Sequence, residues 1–174
     1  RILRNGKPLT VNAASYNAAA DRKKTTEQIV ALKKQGINTV CTDYPQPVWV
    51  YDICDQQGMY VIDQPNINSS DEGGNRAGAI SNNPEWLDSF LARTEAMYTR
   101  VQNHSCVIGW SLGGSVGNGF NMYRAYLRLK ELEVERAVIF NDAAGEWNTD
   151  TLPVTKAEGA EVLSRPVPRS GSRR

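Results

Sequence analysis

Val107-Ile108-Gly109-Trp110-Ser111-Leu112-Gly113-Gly114-Ser115-Val116-Gly117-Asn118-Gly119 runs from apolar to small residues, then gives way to helical spacing from about Met122. An apolar run closing on Trp110, a Gly-rich turn and a helix together read as a buried strand that delivers a loop to one rim of an α/β domain. Such rims are where loops on a rigid scaffold carry function.

The same alternation repeats on both sides of this stretch. C-terminally, Met122 to Glu133 puts Tyr126 and Leu129 on one helical face, and Ala137 to Asn141 reads as a further strand. N-terminally, Cys106 to Trp110 follows a helix that reaches about Val101. Asn83 caps that helix, Pro84 occupies its first turn, and Trp86, Phe90, Met97 and Val101 are its inward residues. Asn66 to Asn82 is a polar, Gly-rich loop. Met59 to Asp63 reads as a strand behind Gly58, which ends a helix over Val48 to Gln57. Ile37 to Thr42 is a β-branched strand behind Gly36, which ends a helix over Thr25 to Gln35 with Thr25 and Gln28 as a capping box. Asn5-Gly6 marks a turn, and Pro8 to Asn12 a first strand. Strand and helix in this spacing imply a parallel sheet with helical crossovers, closed as a barrel or open and doubly wound.

At 174 residues the chain can bury a core of its own, as one domain. Twenty basic against nineteen acidic side chains leave a net charge of +1, too balanced to coat nucleic acid or an anionic membrane. No apolar stretch approaches the roughly 20 residues of a spanning helix. The sequence starts at Arg1 with no charged-then-apolar leader, which leads us to expect that a targeting segment is gone or never existed. Cys41, Cys54 and Cys106 sit in apolar contexts and lack metal-ligand spacing, so they read as buried free thiols, with no metal site.

Several motifs carry a family resemblance over residues 3 to 150. Val107 to Gly119 resembles the W-S-L-G-N-E-S-G strand end of family-2 glycoside hydrolases, the β-galactosidases and their relatives. Leu3-Arg4-Asn5-Gly6-Lys7-Pro8 is similar to the family's L-N-G-K-P, and Asn38 to Pro45 to its N-x-V-R-x-S-H-Y-P. Trp49, Cys54-Asp55 and Gly58 to Asp63 are similar to W-x-x-x-C-D-x-x-G-x-Y-V-x-D-E. Pro65-Asn66-Ile67, Pro84-Glu85-Trp86 and Asn103-His104 match further landmarks in unbroken order. The resemblance implies an α/β fold: a partial (β/α) TIM-barrel-like domain of about five parallel βα units over residues 1–150. A basic Pro/Ser/Gly/Arg-rich segment, residues 151–174, follows.

Departures from the family cluster where the resemblance implies chemistry. Its acid/base Glu is Ser115, with Gly114 before it; its His before Tyr-Pro is Asp43; its Asp-Glu pair is Asp63-Gln64; its E-x-H is Asn68-Ser69-Ser70. A retaining glycosidase needs two carboxyl groups roughly 5 to 5.5 Å apart, and a hydroxyl is not a useful acid at neutral pH. The family's nucleophile lies on strand seven, beyond this sequence. Among the carboxylates expected at strand ends, Asp43, Asp142 and Glu146 read as solvated or capping groups, and Asp63 as a structural hydrogen bonder. His104 matches a landmark at the opposite end of the barrel from the site. The Gly113 to Gly119 loop lacks the Gly-Lys-Ser/Thr of a phosphate cradle.

These readings give a glycoside-hydrolase-like module with no catalytic residues, metal or cofactor, which binds carbohydrate or serves as a structural subunit. The alternative is a fragment or subunit of an active family-2 enzyme. The expected ligand-facing residues are Asp43, Asn66, Trp110, Ser115, Asn118, Glu146 and Trp147; Trp110 fits a core role equally well. Five βα units leave sheet edges open, so a homo-oligomer or a partner protein is expected to cover them.

Overall fold

The structure is a computed structural model, and it describes residues 3–4, 6–69 and 79–151. A short hairpin opens the described chain: β1 (Leu3–Arg4) pairs antiparallel with β2 (Lys7–Pro8), and Gly6 has a φ of +74° that glycine adopts without strain. Then follow β3 (Ala13–Ser15), α1 (Arg22–Lys34), β4 (Thr39–Cys41), α2 (Val48–Gln57), β5 (Tyr60–Asp63), α3 (Leu87–Val101), β6 (Val107–Ser111), α4 (Phe120–Leu132) and β7 (Ala137–Ile139). The strands β3 to β7 form one five-stranded sheet, parallel throughout and in sequence order. This is the parallel sheet that the βα spacing implied, in the five-unit part-barrel order that the family resemblance implied.

Helix and strand ends follow local chemistry. Gly58, at φ +62°, closes α2 in the left-handed conformation, and its N–H bonds to the carbonyls of Asp55 and Cys54. Asn83 caps the single turn Pro84–Trp86 by accepting from Glu85 N–H at 3.0 Å. Four expectations are corrected. The first sheet strand is Ala13–Ser15 rather than Pro8 to Asn12: Pro8 is spent in the hairpin, and Asn12 is tied by its amide groups to Asn38 and Gly36. The helix α1 starts at Arg22, because Asp21 accepts from Lys24 N–H at 2.9 Å; Thr25 is buried inside the helix and donates to the Ala19 carbonyl. Trp86 is 41% exposed, since the turn before α3 rotates it away from the face that buries Phe90, Met97 and Val101. The helix α4 begins at Phe120, two residues before Met122, with its first N–H groups held by Asn82 and Ser81.

One apolar layer lies between sheet and helices. Val40, Val61, Val107, Trp110 and Val138 alternate onto the helix side and meet Ile29, Tyr51, Phe90, Met97 and Leu129. Gly109 falls on the opposite side, where an added Cβ would stand 3.2 Å from the Ala137 carbonyl. Beyond β7 the chain turns back along that strand. Asp150 N–H donates to the Val138 carbonyl, Val138 N–H to the Asp150 carboxylate and Phe140 N–H to Thr149 Oγ, so β7 offers few unmade bonds at this edge. The basic segment expected over residues 151–174 lies, apart from Thr151, outside the described residues. No helix of the described residues is long and apolar enough to cross a membrane.

Candidate functional site

The C-terminal ends of the five strands deliver their loops to one rim. Ser111, one residue past Trp110, points to the other side of the sheet by strand alternation. Its hydroxyl donates to Gln64 Oε1 at 2.9 Å, and Gln64 Nε2 donates to the Asp43 carbonyl at 2.9 Å. A neutral amide thus ties the ends of β4, β5 and β6 together. Asp43 projects outward and accepts from Asn17 Nδ2 at 2.7 Å, while Asn17 Oδ1 takes Asp43 N–H and Gln46 Nε2.

Close packing shapes the glycine loop. Gly113 has φ +151°, and a Cβ there would lie 2.7 Å from the Ile67 carbonyl; Gly114 N–H donates to that same carbonyl at 3.1 Å. Ser115 is exposed at φ +50°, a left-handed turn in a residue with a side chain. The following residues are held by Asp142, whose Oδ2 accepts the N–H groups of Val116 at 2.9 Å and Gly117 at 3.0 Å. Asn118 and Asn148 exchange two amide hydrogen bonds, at 3.2 and 2.9 Å. Glu146 accepts from Tyr123 Oη. Trp147 stacks on Tyr123 with ring centroids 5.3 Å apart, meets Tyr126 edge-on at 5.6 Å, and remains 56% exposed.

The expected ligand-facing residues therefore divide. Ser115, Asn118, Glu146 and Trp147 belong to one rim segment joined by the Asn118–Asn148 pair and the Asp142 contacts. Asp43 stands on the far side of the Gln64 tie. Asn66 is exposed, and its carbonyl accepts from Arg93 of α3 at 3.0 Å. Trp110 is set apart. Its ring is 1% exposed on the helix side, its Nε1 donates to Glu133 at 3.3 Å, Tyr98 tilts against it, and the Arg136 guanidinium lies 5.2 Å from its centroid. That is a core position, as its apolar strand permits. Ser111 and Asn17 are site-shaping residues that sequence reasoning missed, whereas Gln64 and Asp142 stand at the strand ends where it put them, Asp142 accepting backbone N–H groups. Period-two alternation around Trp110 was the signal available for Ser111.

The carboxylates have structural tasks. Asp63 is fully buried below the rim, where its Oδ1 accepts from Thr42 Oγ1 at 2.8 Å and Tyr51 Oη at 2.7 Å. Burial, outweighing these bonds, lifts its carboxyl above the usual value. The Tyr51 hydroxyl is pushed up by burial and by Asp63. Two of the thiols are held protonated: burial, with Asp43, pushes Cys41 to about 11, and burial, with Asp55, pushes Cys54 to about 12.

Residues 11–160 match the family described as glycosyl hydrolases family 2, TIM barrel domain, and the chain belongs to that family. It is 33% identical over 146 residues to a beta-galactosidase of Pectobacterium atrosepticum, an alignment covering 79% of this chain and 14% of that protein. In fold it is similar to the beta-glucuronidase of Ruminococcus gnavus, with a TM-score of 0.65 at 20% identity over 78% of this chain and 25% of that one. It is also similar to Bacteroides uniformis beta-glucuronidase 3, with a TM-score of 0.61 at 17% identity over 78% and 19%. The chain thus spans a small part of each of these relatives.

Proposed function

We propose that this domain is a non-catalytic member of the glycosidase barrel family that holds carbohydrate at its C-terminal rim without cleaving it. The observation that carries this reading is the loop at Ser115. The residue that the motif resemblance aligns with the family's acid/base Glu is an exposed hydroxyl in a left-handed turn, and Asp142 is spent on the N–H groups of the two residues that follow Ser115, Val116 and Gly117. A hydroxyl of high pKa does not protonate a leaving oxygen at neutral pH. Glu146 and Asp43 are likewise engaged, by Tyr123 and Asn17.

Binding is supported by Trp147. One face is covered by Tyr123 and the ring is more than half exposed, which suits the apolar side of a sugar ring. Asp43, Asn66, Ser115 and Glu146 supply polar groups of the same rim, and the buried Asn118 braces it through Asn148. A glycan array with the purified chain tests the reading, and loss of the signal in Trp147→Ala is the expected result. Silence across the array favours a purely structural role.

A second reading has one observation behind it: the chain covers 14% of the length of its beta-galactosidase relative. On that reading it is a fragment or subunit of an active glycosidase whose remaining groups come from elsewhere. In either case β3 has one sheet neighbour among the described residues, β4, and we propose that its other edge is covered by a second copy or a partner chain. Light scattering showing a stable monomer would contradict that coverage.

A further inference from the structure

At the opposite end of the sheet from the rim, Asp55 in the last turn of α2 faces the residues that lead into β6. One donor atom each from Asp55, His104 and Cys106 lies within 4.8 Å of the other two. We propose that these three side chains bind one zinc-class divalent cation, with water as the fourth ligand.

Donor chemistry and geometry both support the site. Imidazole nitrogen, thiolate sulfur and carboxylate oxygen are the groups zinc takes, at about 2.0 to 2.3 Å in tetrahedral array, which sets the donors about 3.3 to 3.7 Å apart. Within the cluster His104 Nδ1 and Asp55 Oδ2 stand 2.7 Å apart, and the Cys106 thiol, which donates to the Tyr51 carbonyl at 3.6 Å, leaves that contact to reach this spacing. Asp55 already fixes this corner: Ser105 Oγ and Cys106 N–H both donate to its Oδ1 at 2.7 Å. Asp55 and His104 keep 27% and 17% of their side-chain surface exposed, which leaves room for a water ligand, while Cys106 is buried beneath them. Three donors with an open fourth position is the pattern of an exchangeable rather than a sealed zinc site.

The sequence hid this site because Asp55 lies 49 residues from His104. A thiol binds a cation as the thiolate, so binding displaces its proton: Cys106–SH and M²⁺ give Cys106–S–M⁺ and one H⁺ released to solvent.

The test is titration of the whole chain with Co²⁺, then displacement by Zn²⁺. The expected result is one equivalent bound, a thiolate-to-cobalt charge-transfer band, and one proton released per cation. Cys106→Ser, checked for fold by far-ultraviolet circular dichroism, should abolish the band and weaken Zn²⁺ at least tenfold, whereas Cys41→Ser and Cys54→Ser should leave both unchanged. His104→Gln should also weaken Zn²⁺ at least tenfold, and it decides the matter if the serine variant does not fold. A wild-type chain without the band, a band that survives Cys106→Ser, or one that disappears with Cys54→Ser would overturn the proposal.

Discussion

On the helix side of the sheet, Val40, Val61, Val107, Trp110, Val138 and Phe140 form a layer in which no side chain is more than 2% exposed. At the C-terminal rim, a few residues further along the same strands, the side chains are Gln64, Ser111, Ser115 and Asn118, and hydrogen bonds between amides and hydroxyls do the joining. The first region is held by burial of apolar area, which is indifferent to which apolar group supplies it so long as volume is kept. The second depends on individual donors and acceptors, each costly to leave unmade once buried. At this rim a neutral amide, Gln64, ties the ends of three strands without a charged partner.

The sharpest way to break this contrast is Trp110→Ala. It removes the largest fully buried side chain from the apolar layer and is expected to cost about 3–5 kcal/mol, enough to leave a marginal domain largely unfolded in a urea titration. Where the two regions meet, Tyr51→Phe deletes a hydroxyl that serves both Asp63 and the Gln46 N–H. A loss of about 1–3 kcal/mol in chemical denaturation is expected, because the carboxyl stays buried with one partner fewer. At the rim itself, Gly113→Ala drives a Cβ against the Ile67 carbonyl in a backbone conformation that disfavours side chains, and a cost of about 1–3 kcal/mol is expected from thermal melts.

Acidity separates the regions in another way. The folded-state pKa of Asp63 is raised, so its contribution to stability is fully present below the ordinary carboxylate value and is lost as pH rises through the raised one. Asp55 is lowered, so its contribution is present above the ordinary value and is lost as pH falls through the depressed one. Urea midpoints followed from acid to neutral pH should fall as Asp63 ionises, and Asp63→Asn should remove that decline. The smallest expected effect is at Ser115: Ser115→Gly relieves a left-handed turn at the cost of a freer unfolded chain, for a net gain under about 1 kcal/mol.

Sequence pattern revealed the apolar layer more fully than the rim. The strands around Val40, Val61, Val107 and Val138 and the helices between them follow from β-branched runs and helical spacing, because burial imposes a period that the chain itself displays. Starts and ends were less visible. Asp21 displaces Thr25 as the cap of α1, a contest between two local hydrogen bonds that spacing does not resolve. At the rim, the motif around Trp110 puts Ser115 on the loop after β6, where the structure has it, while Trp110 itself packs beneath α3 and α4 in the core role its apolar strand allowed. The Gln64–Ser111 tie and the Asp142 contacts join residues 47 and 25 to 26 positions apart. No local period reports such pairs, and only the parallel register of β5, β6 and β7 brings them together.

Nitrophenyl β-glycosides test, in the same samples, whether the rim engages sugar and whether it leaves the glycosidic bond intact. The purified chain is mixed with a panel of them, and nitrophenol release is followed alongside tryptophan fluorescence, which reports on exposed Trp147. A rim of this kind predicts a saturable fluorescence change that Trp147→Ala removes, with release no faster than in buffer. Sustained nitrophenol release that persists through purification and is lost in Glu146→Gln would contradict it.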